Sequence, residues 1–239
     1  MTRILGIVGG TGPESTVDYY RTLVATWRRR RPDGTFPRVI VNSVEGSQVI
    51  RWLGEREFVR VGEELGAAVT ALAAAGARAA LLASNASHLA YPEVAARSPL
   101  PLIHIVDAAR DAALLRGYGR LAIFGTQFVM DSRLYQDRFE PAGLTIVLPE
   151  PADQAYIHEI YLGQLVRGVF RDETRDRLVA ILAGLRDREK IDALILGGTE
   201  LALILTEPAY AGVPILNTAS IHVEAAVDWL LGDEREGSG

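Results

Sequence analysis

Four short segments are rich in glycine or in hydroxyl, amide, imidazole or carboxylate side chains, the groups that bind a small acid or move its protons. They are Gly9–Thr16, Ser84–His88, Gly125–Thr126 and Gly197–Glu200. Each follows a short apolar run and precedes a stretch with helical spacing, so each is predicted to be a loop at the carboxyl end of a parallel strand. Backbone N–H groups at such loops lack helical partners, and the helix dipole favours an anion there. The pattern predicts a binding site for a small carboxylic acid.

The first segment is rich in glycine, which predicts a tight turn where a ligand can approach the backbone at Gly10 and Thr11. Pro13 suits the first turn of a helix. The spacing is neither the dinucleotide-binding fingerprint nor a P-loop, which ends in Gly-Lys-Ser/Thr. A turn that serves only packing is the alternative interpretation.

The second segment supplies two hydroxyls, an amide and an imidazole within five residues. Asn85 can donate to a carboxylate and accept from an ammonium group. Ser84 and His88 are candidate proton carriers, and Ala86 and Ser87 would line the same loop. The alternatives are a helix N-cap at Ser84 or Asn85 and a packed or capping role for His88.

The last segment mirrors the second. Thr199 can cap a helix and also offer its hydroxyl to a ligand, while Gly198 offers space without a side chain. Glu200 lies in a predicted first helical turn, where it either satisfies the helix dipole or acts as an acid or base. Thr126 follows the same logic in the third segment.

Short apolar runs alternate with longer amphipathic ones along the chain, which predicts repeated β–α units around parallel sheets. The predicted strands are Ile4–Val8, Arg38–Asn42, Ala79–Ala83, Leu102–Ile105, Leu121–Phe124, Leu144–Leu148, Ala193–Leu196 and Val213–Leu216. The predicted helices are Ser15–Arg30, Glu55–Ala75, Ile105–Arg116, Asp131–Phe139, Asp153–Val169, Thr174–Arg188, Leu201–Glu207 and Ser220–Leu231.

The loops repeat along the chain, since Gly10 and Ser84 are 74 residues apart and Gly125 and Gly198 are 73 apart. We therefore expect an α/β fold of two pseudo-symmetric domains, each with a parallel sheet flanked by helices and with the site in the cleft between them. The predicted domains are residues 1–104 with 213–239, and residues 105–212.

The composition limits which classes of partner, location and cofactor the sequence allows. A hydrophobic content of 49% with 23% charged residues is that of a soluble globular protein. No apolar run approaches the roughly 20 residues of a membrane span, and Ile4–Val8 is too short for a signal peptide, so the cytoplasm is the expected location. A net charge of −5 argues against a nucleic-acid partner. With no cysteine in the chain, disulfides and thiolate metal sites are excluded, and we expect neither metal nor cofactor.

The loops and the segments between them resemble the aspartate/glutamate racemase family over nearly the whole chain. The matching residues are Gly9-Gly10-Thr11-Gly12-Pro13, Asn42-Ser43-Val44, Asn85 and His88, Asp153-Gln154-x-x-Ile157-His158-x-Ile160-Tyr161, Gly197-x-Thr199-Glu200-Leu201, and Thr218 with Ile221-His222-x-Glu224-Ala225-Ala226-Val227-Asp228. The resemblance implies an amino acid or small carboxylate as ligand, a homodimer, and Asn42 among the ligand-binding residues.

In that family two cysteine thiols exchange the α-proton of the substrate from opposite faces. The positions of these thiols are held here by Ser84 and Gly198, and Ala86 and Asn217 replace a threonine and an aspartate. A serine hydroxyl is a far weaker base than a thiolate unless a neighbour activates it, and glycine has no side chain to exchange a proton. A two-thiol racemase is therefore excluded.

Two arginines, Arg51 and Arg167, lie near the positions where aspartate-specific relatives bind the distal carboxylate of the substrate. If both reach the ligand, it is a dicarboxylate or an amino acid with an acidic side chain. Surface arginines on helices are the alternative.

Three functions remain open from the sequence. The first is an enzyme of isomerase, lyase, decarboxylase or cyclase type that performs acid–base chemistry without cysteine, with Ser84, His88 and Glu200 as proton carriers. The second is a carboxylate-binding or regulatory protein without catalysis. The third is an amino-acid racemase with an engineered Cys-to-Ser change at Ser84, which leaves Gly198 unexplained.

Overall fold

A computed structural model describes residues 3–236. The chain forms two compact units, the first comprising Met1–Ile105 and Ala219–Gly239 and the second Val106–Thr218. The ends of the first predicted domain, residues 1–2 and 237–239, lie outside the described residues. Within residues 3–236, no helix combines the length and apolar composition that crossing a membrane requires.

The helices and strands alternate along the chain. The first part contains β1 Leu5–Gly9, α1 Pro13–Arg30, β2 Val39–Ser43, α2 Gly46–Gly54, α3 Phe58–Ala74, β3 Ala79–Leu82, a 3₁₀ helix Ala86–Ala90, α4 Tyr91–Ala95 and β4 Leu102–Ile103. The second contains α5 Ile105–Leu115, β5 Arg120–Gly125, α6 Gln127–Met130, α7 Gln136–Phe139, β6 Thr145–Val147, α8 Pro151–Gly163, α9 Asp172–Glu189, β7 Ala193–Gly197, a 3₁₀ helix Thr199–Leu203, β8 Ala209–Tyr210 and β9 Val213–Asn217. The last helix is α10 Thr218–Glu236.

The first unit is built on a parallel four-stranded sheet with the order β2-β1-β3-β4. Successive side chains of β1 point to opposite faces, so Leu5 and Ile7 pack in one apolar cluster with α1 and α10. Gly6 faces the other side, where a Cβ added to it would meet Leu72 of α3. Both faces of the sheet are therefore covered, which explains why β3 is an unbroken apolar run.

The second unit contains a sheet with the order β6-β5-β7-β9-β8, parallel except for the antiparallel edge strand β8. Alternate residues of β5 and β7, such as Phe124 and Leu196, pack against α8 and α9 in one buried cluster. The predicted fold class, α/β halves that each have a parallel sheet flanked by helices, is confirmed.

Strand order decides which loops are neighbours. In the first sheet the order reverses between β1 and β3, and in the second between β5 and β7. Ligands of open α/β sheets bind outside the carboxyl ends of strands at such a reversal point. The loops that follow these four strands are the four segments singled out in the sequence.

The structure differs from the prediction at two places, the end of the second domain and the helix predicted after β5. The segment from residue 213 does not belong wholly to the first domain, because β9 forms parallel pairs with β7 and only α10 continues into the first unit. The predicted helix Asp131–Phe139 is interrupted, since Ser132 donates to the carbonyl of Val129 and accepts from the N–H of Leu134. Such local bonds compete with the helical pattern.

Four buried side chains of the first unit, Tyr19, His88, His104 and His222, form a cluster of ring contacts. The ring centroids of His88 and His104 are 4.6 Å apart, and those of His88 and His222 are 6.0 Å apart. His222 donates from Nε2 to the carbonyl of Ile103 (2.8 Å) and accepts at Nδ1 from the hydroxyl of Tyr19 (3.0 Å). Among the described residues no group of His, Asp or Glu is arranged to hold a metal ion.

Acid should destabilise the first unit through His222. Burial lowers the pKa of His222 to about 4, so between pH 6.5 and 4 the unfolded chain binds a proton that the folded protein excludes. Stability is therefore full above pH 6.5 and falls as the pH drops towards 4, by about 3 kcal/mol for this group. Urea unfolding between pH 7 and pH 4.5 measures the slope.

The variant His222→Asn should unfold more easily at pH 7, because it loses buried hydrogen bonds, but with a shallower dependence on pH. An unchanged slope in this variant would contradict the assignment. Because burial also lowers the pKa of His158, part of the slope is expected to remain.

Candidate functional site

The loop after β1 turns at Gly10, whose φ of +95° favours glycine. A Cβ at this position would lie 2.2 Å from the carbonyl oxygen of Val44. The N–H of Gly10 donates to Oγ1 of Thr16 (2.9 Å), and this hydroxyl donates to the carbonyl of Gly12 (3.2 Å). The prediction that Gly10 offers its N–H to a ligand is corrected, because Thr16 already accepts it.

Three hydroxyls of the first unit lie together at the ends of β1 and β3. The Oγ atoms of Thr11 and Ser87 are 3.4 Å apart, and the N–H of Ser87 donates to Oγ of Ser84 at 3.4 Å. Asn85 and Ala86 lie in the same turn, where Asn85 is buried. The structure thus brings the predicted hydroxyl and amide groups into one loop cluster, while Ser84 also has the capping role of the alternative interpretation.

His88 is held by its own loop. Its Nδ1 donates to the carbonyl of Ser84 (2.8 Å), and its Nε2 accepts from the N–H of Ile105 (3.3 Å). Both nitrogens are used by backbone groups, which fixes one neutral tautomer. These contacts favour the packed role, and the role of His88 as a proton carrier stays a prediction.

Asn42 and the two arginines are placed differently from the loop cluster. The amide of Asn42 donates to the carbonyl of Ala68 in α3 (3.2 Å), so this prediction is corrected to a packing role. Its neighbour Ser43 points to the opposite face, with Oγ 2.7 Å from where a Cβ of Gly10 would stand. Arg51 and Arg167 are exposed, and their role towards a distal carboxylate stays a prediction.

The loop after β5 presents an unusual hydroxyl. Thr126 is only 5% exposed, and its Oγ1 has no hydrogen-bond partner within residues 3–236. Its carbonyl accepts from Val129 and Met130 at the start of α6, but its side chain does not cap that helix. A buried unsatisfied hydroxyl is costly, and ligand recognition is one reason to retain it.

The loop after β7 lies beside Thr126, because Gly125 and Gly197 are partners in the parallel ladder. Gly198 has extended backbone angles that any residue can adopt. Its restriction is space, since an added Cβ would lie 2.3 Å from Cε2 and 2.7 Å from Oη of Tyr161. The ring of Tyr161, which comes from α8, occupies the volume of a side chain at position 198.

Glu200 is held in the same loop by two hydroxyls. Its Oε2 accepts from the hydroxyl of Tyr161 and from Oγ1 of Thr199 (3.0 Å), and its side chain is 3% exposed. Burial, followed by the negative charge of Glu200, raises the pKa of Tyr161 well above its usual value. The phenol therefore stays protonated at neutral pH and donates to the carboxylate of Glu200.

Two residues of this site, His158 and Tyr161, match family motif positions but were not predicted as site residues. Tyr161 contacts Gly198 and Glu200, and His158, one turn earlier on α8, accepts at Nδ1 from the N–H of Gln127 (3.1 Å) beside Thr126. Burial lowers the pKa of His158, an effect that the charge of Asp131 opposes. The sequence signal was their spacing of three, which places both on one face of a helix.

Similarity to known proteins supports the resemblance to the aspartate/glutamate racemase family. The model of the Asp/Glu/hydantoin racemase family matches residues 8–226. A candidate Asp/Glu racemase from Yersinia pestis is 26% identical with a TM-score of 0.85, over 96% of this chain and 99% of that one. An aspartate racemase homologue from Pyrococcus horikoshii OT3 is 28% identical with a TM-score of 0.80, over 96% and 99%. An aspartate racemase from Picrophilus torridus shares the fold at 19% identity and a TM-score of 0.76, over 97% and 94%.

Gly198→Ala should destabilise the second unit. The methyl group would overlap the ring of Tyr161, which is buried and cannot move without losing its bond to Glu200. We expect a loss of about 1–3 kcal/mol in the free energy of unfolding, the usual effect of overpacking. Urea unfolding measures it, with Gly163→Ala as the control because a Cβ there meets nothing within 4 Å.

The double variant Tyr161→Ala/Gly198→Ala extends this test. Removal of the ring should abolish the penalty of the added methyl, so that the two effects are not additive. Strict additivity would show that the ring does not restrict position 198.

Proposed function

The chain belongs to the Asp/Glu/hydantoin racemase family, and from that premise we propose that it binds a small carboxylic acid or amino acid and performs acid–base chemistry without cysteine. The reaction is removal or return of a proton at the carbon next to a carboxylate, as in isomerases, lyases, decarboxylases and cyclases. Glu200 is the proton acceptor. Ser84 can donate a hydrogen bond, and its hydroxyl oxygen accepts from the N–H of Ser87 rather than from a base.

The observation that carries this proposal is the buried Glu200 carboxylate in the loop after β7. The neighbouring loop after β5 carries the buried hydroxyl of Thr126, which has no partner within residues 3–236. A carboxylate is costly to bury, and two hydroxyl donors offset only part of that cost. A purely structural loop could have an apolar residue instead. A buried carboxylate and an unpartnered hydroxyl in adjacent loops are groups that acid–base chemistry can use.

Ligand binding would use the groups that the loops keep near the strand ends. In the second unit these are the hydroxyls of Thr126 and Thr199, and in the first unit the hydroxyls of Thr11 and Ser87 with the amide of Asn85. Hydroxyl and amide donors suit a carboxylate, and the amide oxygen suits an ammonium group. Gly198 adds no side chain of its own to this set.

The chemistry proposed is one-sided. With His88 held by backbone groups and no thiol at position 84, the base of this proposal is Glu200 of the second unit. A proton removed there returns to the same face of the substrate, so its configuration is retained. We therefore expect exchange of the α-proton with solvent without racemisation.

A carboxylate-binding protein without turnover is the second candidate. The observation that favours it is that the hydrogen-bonding groups of His88 and of Glu200 Oε2 are already occupied within the protein. This candidate predicts saturable binding of a carboxylate with no proton exchange and no product.

Three finer features stay predictions. Arg51 and Arg167 would select an acidic side chain on the ligand, and both are exposed. The homodimer that the family resemblance implies and the cytoplasmic location expected from the sequence are part of the same proposal.

Thr126→Val should separate ligand binding from stability. The substitution replaces a hydroxyl without a partner by a methyl of similar size, so we expect unfolding stability to stay equal or to rise by about 1 kcal/mol. Binding of aspartate or glutamate, measured by calorimetry, should weaken about tenfold because a hydrogen bond to the ligand is lost.

Thr218→Val is the matched control for Thr126→Val. Its hydroxyl donates to the carbonyl of Leu196 (2.7 Å), so its removal should destabilise the protein. Unaltered affinity in Thr126→Val for every acid that binds the wild type would remove Thr126 from the ligand site.

Glu200→Gln tests the base. In deuterated water, the wild type should incorporate deuterium at the α-carbon of at least one of L- and D-aspartate and L- and D-glutamate. We expect the variant to slow this exchange at least 100-fold, a typical contribution of a general base, with affinity changed less than threefold. Mass spectrometry and NMR measure exchange, and chiral chromatography measures retention.

Glu207→Gln, on the exposed stretch that follows the same loop, is the control and should exchange at the wild-type rate. Binding by the wild type without any exchange would replace the enzyme by the binding protein. Racemisation would contradict the one-sided mechanism.

A further inference from the structure

The hydroxyl of Tyr161 occupies the place that a side chain at position 198 would fill, and it donates to Glu200. We propose that Tyr161 is a catalytic residue, which passes the proton between the substrate and Glu200 in place of a side chain at position 198. The inference rests on the proposed function and adds to it the atom that contacts the substrate.

Geometry makes Gly198 and Tyr161 a single feature. The phenol oxygen lies 2.7 Å from the point where a Cβ would stand, about as far as the second or third atom of a side chain at that position. Any residue larger than glycine would displace the ring. Glycine at position 198 therefore allows the hydroxyl of Tyr161 to lie at the end of β7.

The ring is fixed in this position by its surroundings. Tyr161 is 6% exposed and belongs to the apolar cluster of the second unit, together with Ile157 and Leu165. Its hydroxyl is oriented by the carboxylate of Glu200, which Thr199 also holds. A proton donor fixed in this way needs no rearrangement when the substrate binds.

Protonation states decide the direction of transfer. Burial and the adjacent carboxylate keep the phenol protonated at neutral pH, since its pKa is raised well above the usual value. Tyr161 alone is therefore not a base. Tyr161 and Glu200 together can act as a base, because Glu200 can take the phenol proton while the phenol oxygen takes a proton from the substrate.

The step balances without a further reactant. The Cα–H bond of the substrate breaks, its electron pair stays on the α-carbon and spreads into the carboxylate, and its proton goes to Oη of Tyr161. In the same step the O–H bond of Tyr161 breaks and its proton goes to Oε2 of Glu200. Reversal of the two transfers returns a proton to the same face.

A purely structural pair would not need these two groups. Phenylalanine at 161 would fill the same volume, and a neutral side chain at 200 would avoid the cost of a buried charge. The pair instead keeps a phenol and a carboxylate in direct hydrogen-bond contact within the apolar cluster of the second unit.

The test is Tyr161→Phe, which keeps the ring above Gly198 and removes only the hydroxyl. We expect deuterium exchange into aspartate or glutamate to fall about 100-fold, with the dissociation constant for the same acid changed less than threefold. The double variant Tyr161→Phe/Glu200→Gln should be no slower than the slower single variant, because both residues act in one relay. Urea unfolding establishes that each variant is folded.

Tyr156→Phe is the matched control, since Tyr156 is half-buried on the same helix α8, next to Arg177. Its exchange rate should equal that of the wild type. Wild-type exchange in folded Tyr161→Phe together with slow exchange in Glu200→Gln would overturn the relay and leave the proposed function standing. Absence of exchange in the wild type itself would overturn both.

Discussion

The structure of the candidate site depends on one steric constraint, the overlap between the ring of Tyr161 and the side-chain volume of position 198. A glycine at the end of β7 allows an aromatic side chain from α8 to fill that volume. The phenol then meets the carboxylate of Glu200, and Thr199 completes the set. Glycine at position 198 thus allows a side chain from another element to contact the carboxylate of Glu200.

The two units share a framework but differ in chemistry. In each, the site loops follow the strands at which the sheet order reverses. The loops of the first unit bring together hydroxyls and an amide, and the histidine there, His88, is held by the carbonyl of Ser84 and the N–H of Ile105. The loops of the second unit have the buried carboxylate of Glu200 and the hydroxyl of Thr126. The repeated framework therefore carries different buried polar groups in its two halves.

Sequence patterns predicted the strands and their loops because burial on both faces of a parallel sheet leaves long apolar runs that end at polar turns. They could not show which polar atoms are already used within the protein. Gly10 offers an N–H in sequence, but Thr16, six residues later, accepts it. Asn42 and Ser43 alternate across a strand, and only the fold shows that Asn42 bonds to α3. Tyr161 was missed because its contact with Gly198 joins positions 37 residues apart.

The way in which α10 completes the first unit bears on how the chain is made. Val223, Val227 and Leu230 of this last helix share an apolar cluster with β1 at the opposite end of the sequence. The second unit, in contrast, is one continuous stretch, Val106–Thr218. During synthesis on the ribosome, residues 106–218 emerge as a complete folding unit, whereas the sheet face that α1 and α10 share stays partly uncovered until α10 is translated.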